Sequence, residues 1–281
     1  MSIRKVLVPI DGSDASRQAL AAGFALGRRF GAHVEVLHPR IDPIDAVTFA
    51  GEGMSGEVVQ ELVELTERQA EGRAAVARAM YEEACAAAGI GDDHPQAGRL
   101  TGSYHDPVAR EQDAVSRFGR LTDLIVVARP KSGESNAYDV LHAALFGSAH
   151  PVLVAGTAAP AEVYERVLVA WNGSVESARA VSAALPLLVA AGQVTVVHTD
   201  ELEQGTSSQD VVNYLACHSI AATALALPAS QPVADSLLEA TRKADLLVMG
   251  AYTHGRLWQL IVGGVTRKML EAADIPLLMA H

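Results

Sequence analysis

The residues in this chain best suited to chemistry are glycines and small hydroxyls that follow a short apolar run. Met249-Gly250-Ala251-Tyr252-Thr253-His254-Gly255-Arg256 comes directly after Asp245-Leu246-Leu247-Val248, and Gly263-Gly264-Val265-Thr266 lies a little further on. The apolar run reads as a buried parallel strand. A strand that opens into glycines and then a helix is where α/β sheets hold phosphates. Glycine lets the backbone come close, and the N–H groups at the helix start point outward at the anion. The plainer reading is that Gly250, Gly263 and Gly264 only cap helix ends and allow close packing. Asn172 and Ser174 present the same choice, contact with a ribose or phosphate against capping of the next helix. Arg256 and Arg267 are candidates for neutralising phosphate charge, against a solvated helix face. His254 is a candidate acid or ligand contact, against a solvated loop histidine.

Catalytic machinery does not accompany these residues. There is no nucleophile–base pair, no carboxylate cluster for a metal and no Walker-type Gly-Lys-(Ser/Thr). His94, His105, His142 and His150 show no metal-ligand spacing. The expectation is therefore no catalytic residue and no metal site.

The chain has 281 residues, room for one large or two ordinary domains. It is 49% hydrophobic but only 5% aromatic, a mix that suits helices packed on a parallel sheet. A formal net charge of -11, with no stripe of Lys and Arg, argues against nucleic acid or an anionic membrane as partner. The apolar run at the N-terminus is too short for a signal peptide or a spanning helix. Cys85 and Cys217 read as small core thiols in a reducing cytoplasm, which makes a cytoplasmic location the expectation.

Taken in order, the first half shows strands at Val6–Ile10, His33–His38, Arg99–Thr101, Leu124–Ala128 and Pro151–Val154. Helices are expected after Asp11-Gly12-Ser13-Asp14, over 56–88, from Asp106-Pro107 to Phe118 and over Tyr138–Phe146. Then the chain begins again. Arg166-Val167-Leu168-Val169-Ala170-Trp171-Asn172-Gly173-Ser174 echoes Lys5-Val6-Leu7-Val8-Pro9-Ile10-Asp11-Gly12-Ser13. His198 echoes His38, Asp245-Leu246-Leu247-Val248 echoes Asp123-Leu124-Ile125-Val126, and Pro276-Leu277-Leu278 echoes Pro151-Val152-Leu153. Four landmarks in one order mark a tandem duplication. The second half has a compressed counterpart of the 56–88 helix around 211–222. Residues 157–161 read as a linker, giving domains over 1–156 and 162–281.

The expected fold is α/β: two tandem doubly wound, Rossmann-like domains, each with a mostly parallel five-stranded sheet, packed as a pseudo-dimer. Ligands in such sheets bind beyond the carboxyl ends of the strands where the strand order reverses. That places Asp11-Gly12-Ser13 with Ala128-Arg129-Pro130 in one half, and Asn172-Gly173-Ser174 with the Gly250 segment in the other. Edge strands must be covered, first by each other, with a homodimer as a further possibility.

At these residues the chain resembles a tandem universal stress protein, and the resemblance runs over both halves. It rests on the opening strand with (Asp/Asn)-Gly-Ser, the strand ending in His, the Asp-Leu-(Leu/Ile)-Val strand, the Gly250 to Thr266 segment and the closing Pro-(Val/Leu)-Leu strand. Nucleotide-binding members carry Gly, two residues, Gly, nine residues, then Gly with a small neighbour. Here Gly250, Thr253 and Gly263-Gly264 keep the spacing, with Thr253 in place of the second glycine and Gly255 displaced from it. The resemblance implies a stress-response protein binding an adenine nucleotide, ATP with Mg as its companion, in a regulatory role. The implied contacts are Asn172, Gly173, Ser174, Thr199, Met249, Gly250, Thr253, Gly263, Gly264, Val265 and Thr266. Thr199 is placed where family members meet adenine. Asp11, Gly12 and Ser13 would form a vestigial first site, because Arg129-Pro130-Lys131 replaces its glycine loop. The alternatives are an interaction scaffold with both sites lost, working through an unidentified protein partner, and a weak ATPase.

Overall fold

The computed structural model describes residues 2–40, 56–91, 93–130, 135–161, 163–199, 206–251 and 264–281. The first half carries β1 (Lys5–Pro9), β2 (His33–Leu37), β3 (Thr101–His105), β4 (Leu124–Val127) and β5 (Val152–Val154). The second carries β6 (Arg166–Ala170), β7 (Gln193–His198), β8 (Ala222–Ala226), β9 (Leu246–Gly250) and β10 (Leu277–Ala280). Between them run α1 (Asp14–Phe30), α2 (Gly56–Ala88), α3 (Glu111–Gly119) and α4 (Ser135–Gly147). The second half adds α5 (Val175–Leu188), α6 (Ser208–Cys217), α7 (Val233–Thr241) and α8 (Gly264–Ala272).

All ten strands form one sheet in the order β3-β2-β1-β4-β5-β10-β9-β6-β7-β8. Neighbours run parallel except at the centre, where β5 and β10 pair antiparallel through Val154 with Leu277, Leu153 with Leu278 and Val152 with Met279. The two five-stranded sets therefore each cover one edge of the other, as expected of a pseudo-dimer, and β3 and β8 stand at the outer edges. Strand order reverses between β1 and β4 and again between β6 and β9.

Period-two alternation divides the strands between two core layers. Val6, Val8, Val34, Val36, Val167, Val169 and Val248 join α1, α2, α5 and α6 on one face. Leu7, Leu37, Ile125, Val127, Leu247 and Met249 join α3, α4, α7 and α8 on the other. Both layers run across the β5–β10 seam.

Asp123 and Asp245 owe their repeated position to strand register. Asp123 Oδ2 accepts from the backbone amides of Arg4 (2.7 Å) and Lys5 (2.9 Å), and Asp245 Oδ2 accepts from the amide of Arg166 (2.9 Å). Each carboxylate thus fastens the fourth strand of its half to the start of the first.

Four expectations need correction. The helix expected from Asp106-Pro107 begins at Glu111, because the preceding residues form a short extended contact: Arg40 N donates to Pro107 O and Ala109 N to Arg40 O. The third strand begins at Thr101 and runs on to His105, beyond the expected stretch. The compressed helix around 211–222 ends at Cys217, and Ala222–Ala226 is a strand at the edge of the sheet. Cys85 is buried but Cys217 is exposed, because α6 turns Val211 and Leu215 to the core and Cys217 away from it.

Candidate functional site

The same turn follows the first strand of each half. Gly12 and Gly173 take φ of +87° and +74°, a left-handed conformation that glycine adopts without strain. The preceding side chain folds back over the turn: Asp11 Oδ1 accepts from Ser13 N (2.9 Å) and Asn172 Oδ1 from Ser174 N (3.2 Å). The serines then cap the helices, with Ser13 Oγ accepting from Ser16 N and Ser174 Oγ from Ser177 N. Asn172, Ser174, Asp11 and Ser13 therefore have local capping work with or without a ligand.

Above this turn the halves diverge. In the second half a cavity of about 260 Å³ opens at the carboxyl ends of β6, β7 and β9. Trp171 and Asn172 line it after β6, His198 and Thr199 at the end of β7, and Met249 and Gly250 at the end of β9. Val265 and Thr266, in the first turn of α8, close one side, and Leu227, Val233 and Leu237 form an apolar wall. Thr199 is only 8% exposed, and its hydroxyl has no hydrogen-bond partner among the described residues. A buried hydroxyl left in that state costs about 1–3 kcal/mol, so a polar group entering the cavity would be rewarded. The indole N–H of Trp171 donates to Thr206 O (2.8 Å), so this side chain both packs in the core and anchors the chain entering α6.

Of the residues expected from the sequence, Asn172, Thr199, Met249, Gly250, Val265 and Thr266 meet at this one cavity. Gly173 and Ser174 form the turn beside it, and Gly264 starts α8. Thr253, Gly263, His254, Gly255 and Arg256 lie outside the described residues. Arg267 is not brought to the cavity. It pairs with Glu271 (2.9 Å) and lines a separate cleft with Asp14, Gln18 and Arg129. The apolar wall of Leu227, Val233 and Leu237 was missed, since its position depends on β8, a strand that alanine-rich sequence does not announce.

In the first half, α2 lies over the turn. Its Arg73 carbonyl oxygen stands 3.5 Å from where a Cβ on Gly12 would be, with Val76 at 3.6 Å. Asp11 is occupied by its own turn, accepting also from Ser16 Oγ (2.5 Å). Burial pushes its carboxyl up, but the hydrogen bonds from Ser13 and Ser16 outweigh this and hold it below the ordinary 3.8. Nearby Glu111 is raised, chiefly by burial and also by the charge of Asp11, against a hydrogen bond from Asn136. Where the second half has Ala251, the first has Arg129, whose guanidinium turns away to backbone carbonyls.

Among the described residues no group of three or more His, Cys, Asp or Glu is placed to hold a metal ion. No described helix is long and apolar enough to cross a membrane.

A doubly wound α/β protein with its candidate cavity at a strand-order reversal is the class that this geometry defines. Residues 2–116 match the model of the Universal stress protein family. Among solved structures, a universal stress protein from Archaeoglobus fulgidus aligns over 98% of this chain and 97% of its own, at 16% identity and a TM-score of 0.66. The fold is thus shared along the whole chain. The universal stress protein UspA from Lactobacillus plantarum covers 55% of this chain and 99% of its own, at 17% identity and a TM-score of 0.38. A universal stress protein in complex with cAMP covers 44% of this chain and 72% of its own, at 18% identity and a TM-score of 0.24. The comparison with curated proteins gives no match.

Proposed function

We propose that this chain is a nucleotide-binding stress-response protein of two universal-stress-type domains, 1–156 and 162–281, with its working site in the second. The ligand is an adenine nucleotide, ATP with Mg as companion, and the role is regulatory binding rather than turnover. The observation that carries this reading is the convergence on one cavity of Asn172, Gly250, the first turn of α8 and the unpartnered Thr199 hydroxyl. A helix start supplies N–H groups and positive potential to phosphates. The apolar wall suits a base, and the buried hydroxyl offers it a hydrogen bond. The first half is read as vestigial, because α2 and the Asp11 turn leave its polar groups engaged.

Denaturing freshly purified protein and identifying any released nucleotide by chromatography, with calorimetric ATP titration alongside, tests the reading. About one nucleotide per chain is expected. Two per chain would restore the first site, and neither released nucleotide nor heat with ATP would end the reading. Heat with cAMP and none with ATP would transfer the site to a cyclic nucleotide.

A scaffold that uses its surfaces alone is the second reading, and one contact favours it. Gly250 packs so closely against α5 that it needs no ligand to account for it. Steady release of phosphate from ATP above a no-protein blank would instead make the protein a weak ATPase.

A further inference from the structure

Arg129 belongs to the first half, but most of its hydrogen bonds reach the second. Its Nε donates to Ala155 O at the end of β5 (3.2 Å). Nη1 donates to Met269 O (3.1 Å) and Leu270 O (3.0 Å), and Nη2 to Ile275 O (2.6 Å). Met269 and Leu270 lie in the last turn of α8, and Met269 O accepts from the amide of Ala273 as well as from Arg129. A cation there also complements the helix dipole. The planar fork of arginine reaches three of these carbonyls through two nitrogens and a fourth through Nε, a pattern that a lysine ammonium cannot reproduce.

The opposite end of α8 is the rim of the candidate cavity, through Val265 and Thr266. The helix has nine residues, so it acts as one short rod about 13 Å long. Met269 and Leu270 are fully buried beneath it, and Lys268 pairs with Asp235 of α7, the helix that supplies Val233 and Leu237 to the cavity wall. What fixes the far end of this rod also fixes Val265 and Thr266 at the cavity rim. Burial lowers the Arg129 guanidinium to about 10, against the raising influence of Asp274, as expected of a cation enclosed among carbonyls.

We propose that Arg129 is a positioning residue for the cavity of the second half: by holding the carboxyl end of α8 it sets where Gly264, Val265 and Thr266 meet an anionic ligand. The proposal rests on the nucleotide reading for its ligand but on the Arg129 hydrogen bonds for its mechanism. Position 129, where the first half would have opened its own loop, thus serves α8 of the other half.

The test uses the full chain with Arg129→Met and Arg129→Lys, followed by hydrogen exchange without ligand and by ATP calorimetry. In Arg129→Met, amides of α8 should exchange about tenfold faster while those of β1 and β2 stay unchanged. ATP should bind about tenfold more weakly. Arg129→Lys should keep the fold without restoring affinity, and it replaces the Met variant if that one does not fold. Wild-type ATP affinity in the variants, even with a lower melting temperature, would overturn the proposal and leave Arg129 a purely structural tie. If the wild type itself binds no ATP, the nucleotide reading falls and exchange at Lys268–Leu270, whose amides have acceptors within α8, decides alone. Faster exchange there supports the positioning role, and unchanged exchange overturns it.

Discussion

A methyl group added at Gly250 would lie 2.6 Å from the amide nitrogen of Ser177 and 2.8 Å from the carbonyl carbon of Glu176, both in the first turn of α5. The same addition at Gly264 meets nothing within 4 Å among the described residues. Both are loop glycines in sequence, yet one is required by packing and the other is free to serve a ligand. Gly250→Ala should therefore lower stability by about 1–3 kcal/mol, read by urea unfolding, because backbone rather than a flexible side chain must give way. Loss of ATP binding in that variant would say nothing about phosphates. Gly264→Asp is the cleaner probe. A carboxylate in the first turn of α8 complements the helix dipole, so the variant should melt at or above the wild-type temperature. It also puts negative charge where the phosphates would sit, so the calorimetric heat with ATP should vanish. Full ATP binding by a stable Gly264→Asp protein would remove α8 from the site.

Among the elements, the ion pair before β9 gives a prediction in pH. Asp245 Oδ1 meets Arg166 Nη2 at 2.6 Å while Oδ2 takes the Arg166 amide. The hydrogen bond from Arg166 is the largest influence on this carboxyl and holds it below 3.8. A depressed carboxylate contributes stability that is present above its unfolded value and lost as pH falls through the folded one. Asp245→Asn should therefore cost about 1 kcal/mol at pH 7, and urea melts should show the gap to wild type closing below about pH 4. A gap that persists at pH 3 would mean that packing, not charge, fastens β9 to β6. In sequence this aspartate was legible only as a repeated landmark. Its partner, the backbone amide that opens β6, lies 79 residues away, and no local pattern carries such a pairing. The helix over 56–88 was legible from end to end because its periodicity is long and internal. Ala222-Thr223-Ala224-Leu225-Ala226 was not, because its residues favour a helix and pairing along β7 overrides them. The clamp of Arg129 escaped for the reason that Asp245 did: three of its four acceptors are carbonyls at least 140 residues further along.

At the scale of the whole molecule, the seam between β5 and β10 decides whether the halves behave as one body. It is short, three paired residues, and alone would hold two independent domains weakly. Both core layers cross it, however. Leu153 packs with Leu278 in one layer, Val152 and Val154 with Leu277 and Met279 in the other, and none of these side chains is more than 1% exposed. Arg129 adds three hydrogen bonds from one half to the other beside the seam. Two cores that share their central strands should not melt separately, so scanning calorimetry should record one cooperative transition. Leu153→Ala should cost about 2–5 kcal/mol and move that transition as a single peak. On the nucleotide reading proposed above, ATP at about one hundred times its dissociation constant should stabilise the first half together with the second, by about 2.7 kcal/mol. Two peaks, with ATP raising one and Leu153→Ala lowering the other, would instead mean that the halves fold apart and that the continuous sheet is an alignment of edges rather than a shared core.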